Sequence, residues 1–178
     1  MTSVQASGPR FWWSRLAGVA ALAGFCVALS IHMRSILHLP VPTESWPGCP
    51  LSFCLFAGAF LVVLPMIRDA GDGRLGAVSN VRIVAGMPTW ARLAIGVCAV
   101  YVAINFAWGL VGHGGKVRVS DGRAVAYVSG VSRVLSDGEY RDYLAWQVRL
   151  WSGHLLIFYL VPAFYFLCGP GAKEQAAR

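Results

Sequence analysis

Residues 93–115 read LAIGVCAVYVAINFAWGLVGHGG, a run with no Lys, Arg, Asp or Glu in it. As a helix this stretch rises about 35 Å, enough to cross roughly 30 Å of hydrocarbon. Three more runs of the same kind stand either side of it, Leu16 to Met33, Trp46 to Ile67 and Leu150 to Ala172, each uncharged apart from histidine. A buried helix of a water-soluble core is the alternative for any one of them. Four in 178 residues leave too little polar sequence to surround them. The chain therefore reads as an all-α integral membrane protein, a single four-transmembrane-helix bundle with expected spans at 16–33, 48–67, 93–113 and 150–169.

Composition agrees. Hydrophobic residues make up 57% and charged residues 13%, against roughly 45–50% and 25% in ordinary globular domains. The net charge of +7, from 15 Lys and Arg against 8 Asp and Glu, fits cations that flank spans and meet lipid headgroups. No basic run is interleaved with aromatics, so nucleic acid is not an expected partner. A basic N-terminus before an apolar run also fits a cleaved signal peptide. The first run is long for that role, and Ile31-His32-Met33-Arg34 is a poor sequel to a cleavage site, so an uncleaved anchor is expected.

Small residues mark the faces expected to pack: Ala17, Ala21, Gly24 and Ala28 in span one, and Gly96, Ala99, Ala103 and Ala107 in span three. Helices in lipid gain little from burying apolar area, so close approach along such faces supplies their attraction. Asn105, mid-span, needs a partner on another helix because lipid offers none. Phe11, Trp12, Trp13, Trp46, Trp90 and Trp151 stand near span ends as an aromatic belt. Pro65 and Pro162 are expected to kink the ends of spans two and four.

The segment between spans three and four is expected to hold a small extramembrane β-hairpin module over 116–136. Lys116 to Val119 and Ala124 to Val128 are strand-like, and the Asp121-Gly122 between them is a hairpin signal. A third short strand is expected from Val131 to Leu135. Ser136-Asp137-Gly138-Glu139 then matches a capping box, and Tyr140, Leu144, Val148 and Trp151 follow at helical spacing, so one helix should run from the module into span four. The segment from Ala70 to Gly86 shows no comparable chemistry.

Cations divide eight to seven between the two sides, which decides no orientation. The cation-poor first loop and the basic flank of span one favour both termini in the cytoplasm, with a bacterial inner membrane as the expected setting. All four histidines (His32, His38, His113 and His154) fall on the opposite side, together with Cys49 and Cys54. His32, His113, His154, Cys49 and Cys54 are thus the candidate metal ligands, imidazole and thiolate being common donors. Their spacing matches no metal or haem motif, so the expectation is no bound cofactor, scattered histidines, and His154 hydrogen-bonded to a neighbouring helix. Four spans with a cysteine pair on one face superficially resemble the quinone-linked disulfide-forming membrane proteins, whose CxxC and second exposed pair are both missing here. With no GxSxG, no P-loop and no intramembrane carboxylate, the expected function is a non-enzymatic accessory or scaffold role. Its partners would be the lipid bilayer and other membrane proteins or further copies of itself. A redox or metal-handling protein using the His/Cys face, with a metal or haem, is the alternative.

Overall fold

The computed structural model describes residues 9–39, 50–70, 84–112, 116–120, 122–128 and 131–169. It is mostly helical. In chain order come α1 (Pro9–Ile36), α2 (Pro50–Ala70), α3 (Thr89–Gly112), β1 (Lys116–Ser120), β2 (Arg123–Val128), β3 (Val131–Val134) and α4 (Asp137–Cys168). Each of these four helices is long and apolar enough to cross a membrane. Pro65 and Pro162 lie inside α2 and α4 without ending them.

The four helices are not equivalent. In α4 56% of the apolar window is buried, against 28% in α1 and in α2 and 17% in α3. α4 touches all three of the others, and α1 runs along most of it. Val148, Leu155, Leu156, Tyr159 and Ala163 of α4 meet Ala21, Ala28 and Ile31 of α1 and Leu55, Ala59 and Val62 of α2. Leu160, Tyr165 and Phe166 meet Met66 of α2 and Ala91 and Ile95 of α3.

The small-residue face expected on α1 does pack. Ala21 and Ala28 are fully buried, and a Cβ built on Gly24 would lie 2.3 Å from the Tyr159 ring. The face expected on α3 does not. Gly96, Ala99, Ala103 and Ala107 are all exposed, and among the described residues nothing lies within 4 Å of the Cβ position of Gly96. α3 instead buries Ala91, Ile95 and Val102, with Cys98, Asn105 and Gly109 on the same line. These positions alternate steps of four and three, the spacing of a helix seam. This seam mixes small and larger residues, and bulky side chains of α4 fill the space beside it. Trp90 stacks edge-on against Phe164, with ring centroids 5.1 Å apart, and Trp146 occupies the space over Gly109.

Local chemistry explains the ends. α1 stops where His38 takes φ 52°, a left-handed conformation uncommon outside glycine. The Leu39 amide then donates to the Arg34 carbonyl at 2.9 Å, closing the helix in the manner of a Schellman turn. α4 opens on the full capping box: the Glu139 amide donates to Ser136 Oγ, and the Ser136 amide donates to Glu139 Oε2.

The module between α3 and α4 is a three-stranded antiparallel sheet in the order β1-β2-β3, so the expected hairpin has its third strand. Gly122 supplies the turn with φ 74°. Arg133 of β3 ties the sheet to the start of α4 through a 2.6 Å ion pair with Glu139.

Two outcomes follow from this packing. Gly24→Leu should destabilise the bundle by about 1–3 kcal/mol through overpacking against Tyr159, while Gly96→Leu should be near neutral. Reversible unfolding in mixed micelles measures both, and equal effects would show that Gly24 is not a contact. The Ser136 amide, the Arg133 guanidinium and the Ser136 hydroxyl hold the Glu139 carboxylate down to about 2 from an ordinary 4.5. A depressed acid stabilises the folded state above its unfolded pKa, and that support is lost as pH falls through the folded value. The amide shift of Ser136 should therefore move with a midpoint near 2 and stay flat in Glu139→Gln. A midpoint near 4.5 would show the box open in solution.

Candidate functional site

A helix with neighbours on most sides must pass its polar groups to them, since an unpaired polar group out of water costs several kcal/mol. At the end of the bundle nearest the sheet, α1, α3 and α4 meet this demand jointly. His32 of α1 is 1% exposed. Its Nδ1 lies 2.9 Å from Ser152 Oγ of α4, and its Nε2 lies 2.5 Å from the Tyr101 hydroxyl of α3. Imidazole and phenol rings meet edge to face, with centroids 5.5 Å apart.

The proton positions follow by elimination. A serine hydroxyl has one hydrogen, and Ser152 gives its hydrogen to the Val148 carbonyl at 2.6 Å, as buried serines in helices commonly do. Ser152 Oγ must then accept from His32, which places the imidazole proton on Nδ1. Nε2 is left as the acceptor for the Tyr101 O–H. The chain runs Tyr101 to His32 to Ser152 to the Val148 carbonyl, every group satisfied with a neutral ring.

Two further links surround it. Asn105, one turn from Tyr101 on α3, donates from Nδ2 to the Arg149 carbonyl at 3.3 Å, as expected of a mid-helix amide. Arg149 Nη2 donates to the Ser35 carbonyl at 3.2 Å, in the last turn of α1. A cation there is favoured by the free carbonyls and the negative end of the helix dipole. Among the described residues no carboxylate pairs with Arg149, and its Nε is buried without a partner. Gly153 makes the convergence possible: a Cβ on it would stand 3.0 Å from Asn105 Nδ2 and 3.5 Å from His32 Cε1. Lower in the bundle Tyr159 repeats the device, donating from its buried hydroxyl to the Leu55 carbonyl of α2 at 2.6 Å.

Of the candidate ligands, His32 has both ring nitrogens engaged. His154 lies one residue from Gly153 but bonds within its own helix, Nδ1 to the Leu150 carbonyl at 2.8 Å. That corrects the expectation of a partner on another helix. The cause is geometric: a ring four residues after a helical carbonyl reaches it without crossing to a neighbour. His154 also packs edge-on against Phe106. Cys54 is an exposed free thiol, and Cys49 and His113 lie outside the described residues. Among the described residues no three of His, Cys, Asp and Glu gather in a group that could hold a metal ion. Sequence reasoning missed Tyr101, Ser152, Ser35, Arg149 and Tyr159 as members of the polar network. The available signal was the one that picked out Asn105, a hydrogen-bonding side chain inside an apolar run.

Comparison with protein-family models, with curated proteins and with solved structures returns no match to this chain.

The proton assignment is open to direct test. With ring-¹⁵N histidine, His32 should show a protonated Nδ1 and an unprotonated Nε2. Tyr101→Phe should shift Nε2 and cost about 0.6–2 kcal/mol of bundle stability. An Nε2-protonated ring would reverse the direction of the whole chain.

Proposed function

We propose that this chain is an integral membrane protein of a bacterial inner membrane, crossing it four times with both termini in the cytoplasm, and that it acts by association as an accessory or scaffold subunit. The observation that supports this reading is the state of α3. Among the described helices its extensive contact is with α4, with Tyr101 reaching His32 of α1 by a hydrogen bond, and it turns four small residues, Gly96, Ala99, Ala103 and Ala107, away from the bundle. Small outward residues let another helix approach closely where apolar burial gives little attraction.

The polar network supports the same reading. His32, Tyr101, Ser152 and Asn105 are each spent on a contact between helices of this chain. Such a network fits a bundle held in one arrangement and presented to a partner.

Gly96→Leu with Ala103→Leu tests the reading, because the substitutions add bulk where the isolated chain has space. The wild type should run as a complex larger than one chain in mild detergent, and the double variant should run as a monomer with unchanged helicity. A wild type that runs at the mass of a single chain after crosslinking in native membranes would refute the association, and an intact complex in the variant would remove the role of α3. Reporter fusions at Ser120 and Gly171 check the orientation, and a cytoplasmic Ser120 fusion would reverse it.

A further inference from the structure

Strand register sorts the side chains of the sheet. Arg118 pairs with Val125 and Ser120 with Arg123. Residues two apart on a strand share a face, so Arg118, Arg123, Val125 and Tyr127 lie together. Ala126 pairs with Val117 on one side and Arg133 on the other, so Val117, Val119, Ala124, Ala126, Val131 and Arg133 share the opposite face. The cations of the two faces differ in what they do. Arg133 is neutralised by Glu139. Arg118 and Arg123 are exposed and have no ion-pair or hydrogen-bond partner among the described residues. Tyr127 beside them is 44% exposed.

Connectivity keeps this face near the ends of the spans. Trp146 of α4 stands over Gly109 of α3, and α3 ends three residues later at Gly112, about 4.5 Å further along its axis. Three residues then lead into β1, which is an edge of the sheet. With the hydrocarbon edge at the expected ends of the spans, residues 113 and 150, the phosphate layer occupies on the order of the next 5–8 Å. β1 begins within three residues' reach of that layer. β3, in contrast, leads into the first turn of α4, nine residues or about 14 Å above Trp146.

We propose that the β1–β2 hairpin docks on the headgroup layer of an anionic bilayer, with the guanidinium groups of Arg118 and Arg123 on lipid phosphates and Tyr127 beside them at the interface. Guanidinium forks match phosphate oxygens in charge and geometry, and Tyr is enriched at this depth. Two cations close to a negative surface add attraction that salt screens. The sheet is thereby held against the membrane by a second contact besides its covalent tethers. The inference rests on the membrane placement proposed above, and it is independent of what α3 binds.

The full chain is reconstituted in nanodiscs of phosphatidylcholine alone and of an equal mixture with phosphatidylglycerol, each doped with a headgroup-nitroxide lipid. In the anionic discs the Arg118 and Arg123 Nε–H signals and the Tyr127 ring should broaden strongly, while the Val131 methyl groups, on the other face, keep their intensity. Hydrogen exchange over residues 116–128 should slow about tenfold relative to phosphatidylcholine discs. High salt and the Arg118→Gln, Arg123→Gln double variant should each abolish both effects. Equal spectra in the two lipids, or broadening of Val131 in place of Tyr127, would overturn the docking. Arginine shifts reproduced by inorganic phosphate in phosphatidylcholine discs would replace it with a site for free anions. A chain that does not insert into discs at all would instead remove the membrane placement on which it rests.

Discussion

Most of this structure follows from the position of α4. A helix packed against three others has few open directions on its buried face, so the polar groups there, Ser152, Arg149 and Tyr159, are met largely by groups on those three. Ser152 meets His32, the Arg149 carbonyl meets Asn105, its guanidinium meets the end of α1, and Tyr159 meets Leu55. Each bond is modest, about 0.6 kcal/mol for an interhelical pair in a membrane. The cost of leaving one unmade is larger, so the set fixes which helix faces which even though it adds little to total stability.

Glycines set the distances at which this can happen. The Tyr159 ring needs the missing side chains of Gly24 on α1 and Gly58 on α2 to reach the Leu55 carbonyl at all. Trp146 needs Gly109 in the same way, and the approach of both His32 and Asn105 to α4 needs Gly153. In each case one helix contributes bulk or polarity and the other contributes its absence. Gly96 is the contrast, a glycine on a helix surface that nothing among the described residues fills.

The helices and the capped start of α4 were legible because each rests on local chemistry: absence of charge over a long run, a Ser and a Glu three residues apart, an Asp-Gly between strand-like segments. The face of α1 was legible because its small residues lie on one stripe with few rivals. On α3 two stripes compete, Gly96-Ala99-Ala103-Ala107 and Ala91-Ile95-Cys98-Val102, and residue size alone chose the wrong one. What decides between them is the bulk waiting on α4, Trp146 and Phe164, which no reading of α3 by itself contains. The polar network was partly legible for a related reason. Asn105 stands out in its run, whereas Ser152 and Tyr101 are ordinary residues until a histidine from a distant part of the chain arrives between them. His154 misled because depth alone drew attention to it, while a carbonyl of its own helix lay within reach.

One consequence of the unbroken course of α4 is mechanical. The sheet is joined to its first turn by the Arg133–Glu139 pair and the capping box, and the same helix then runs without interruption to Cys168. No loop intervenes to absorb a displacement. A torque applied to the strands is delivered along a rod about 48 Å long to the Tyr159 ring and the contacts around Phe166. The two ends of the molecule therefore share a single lever, and turning one end requires the other to release its hydrogen bonds.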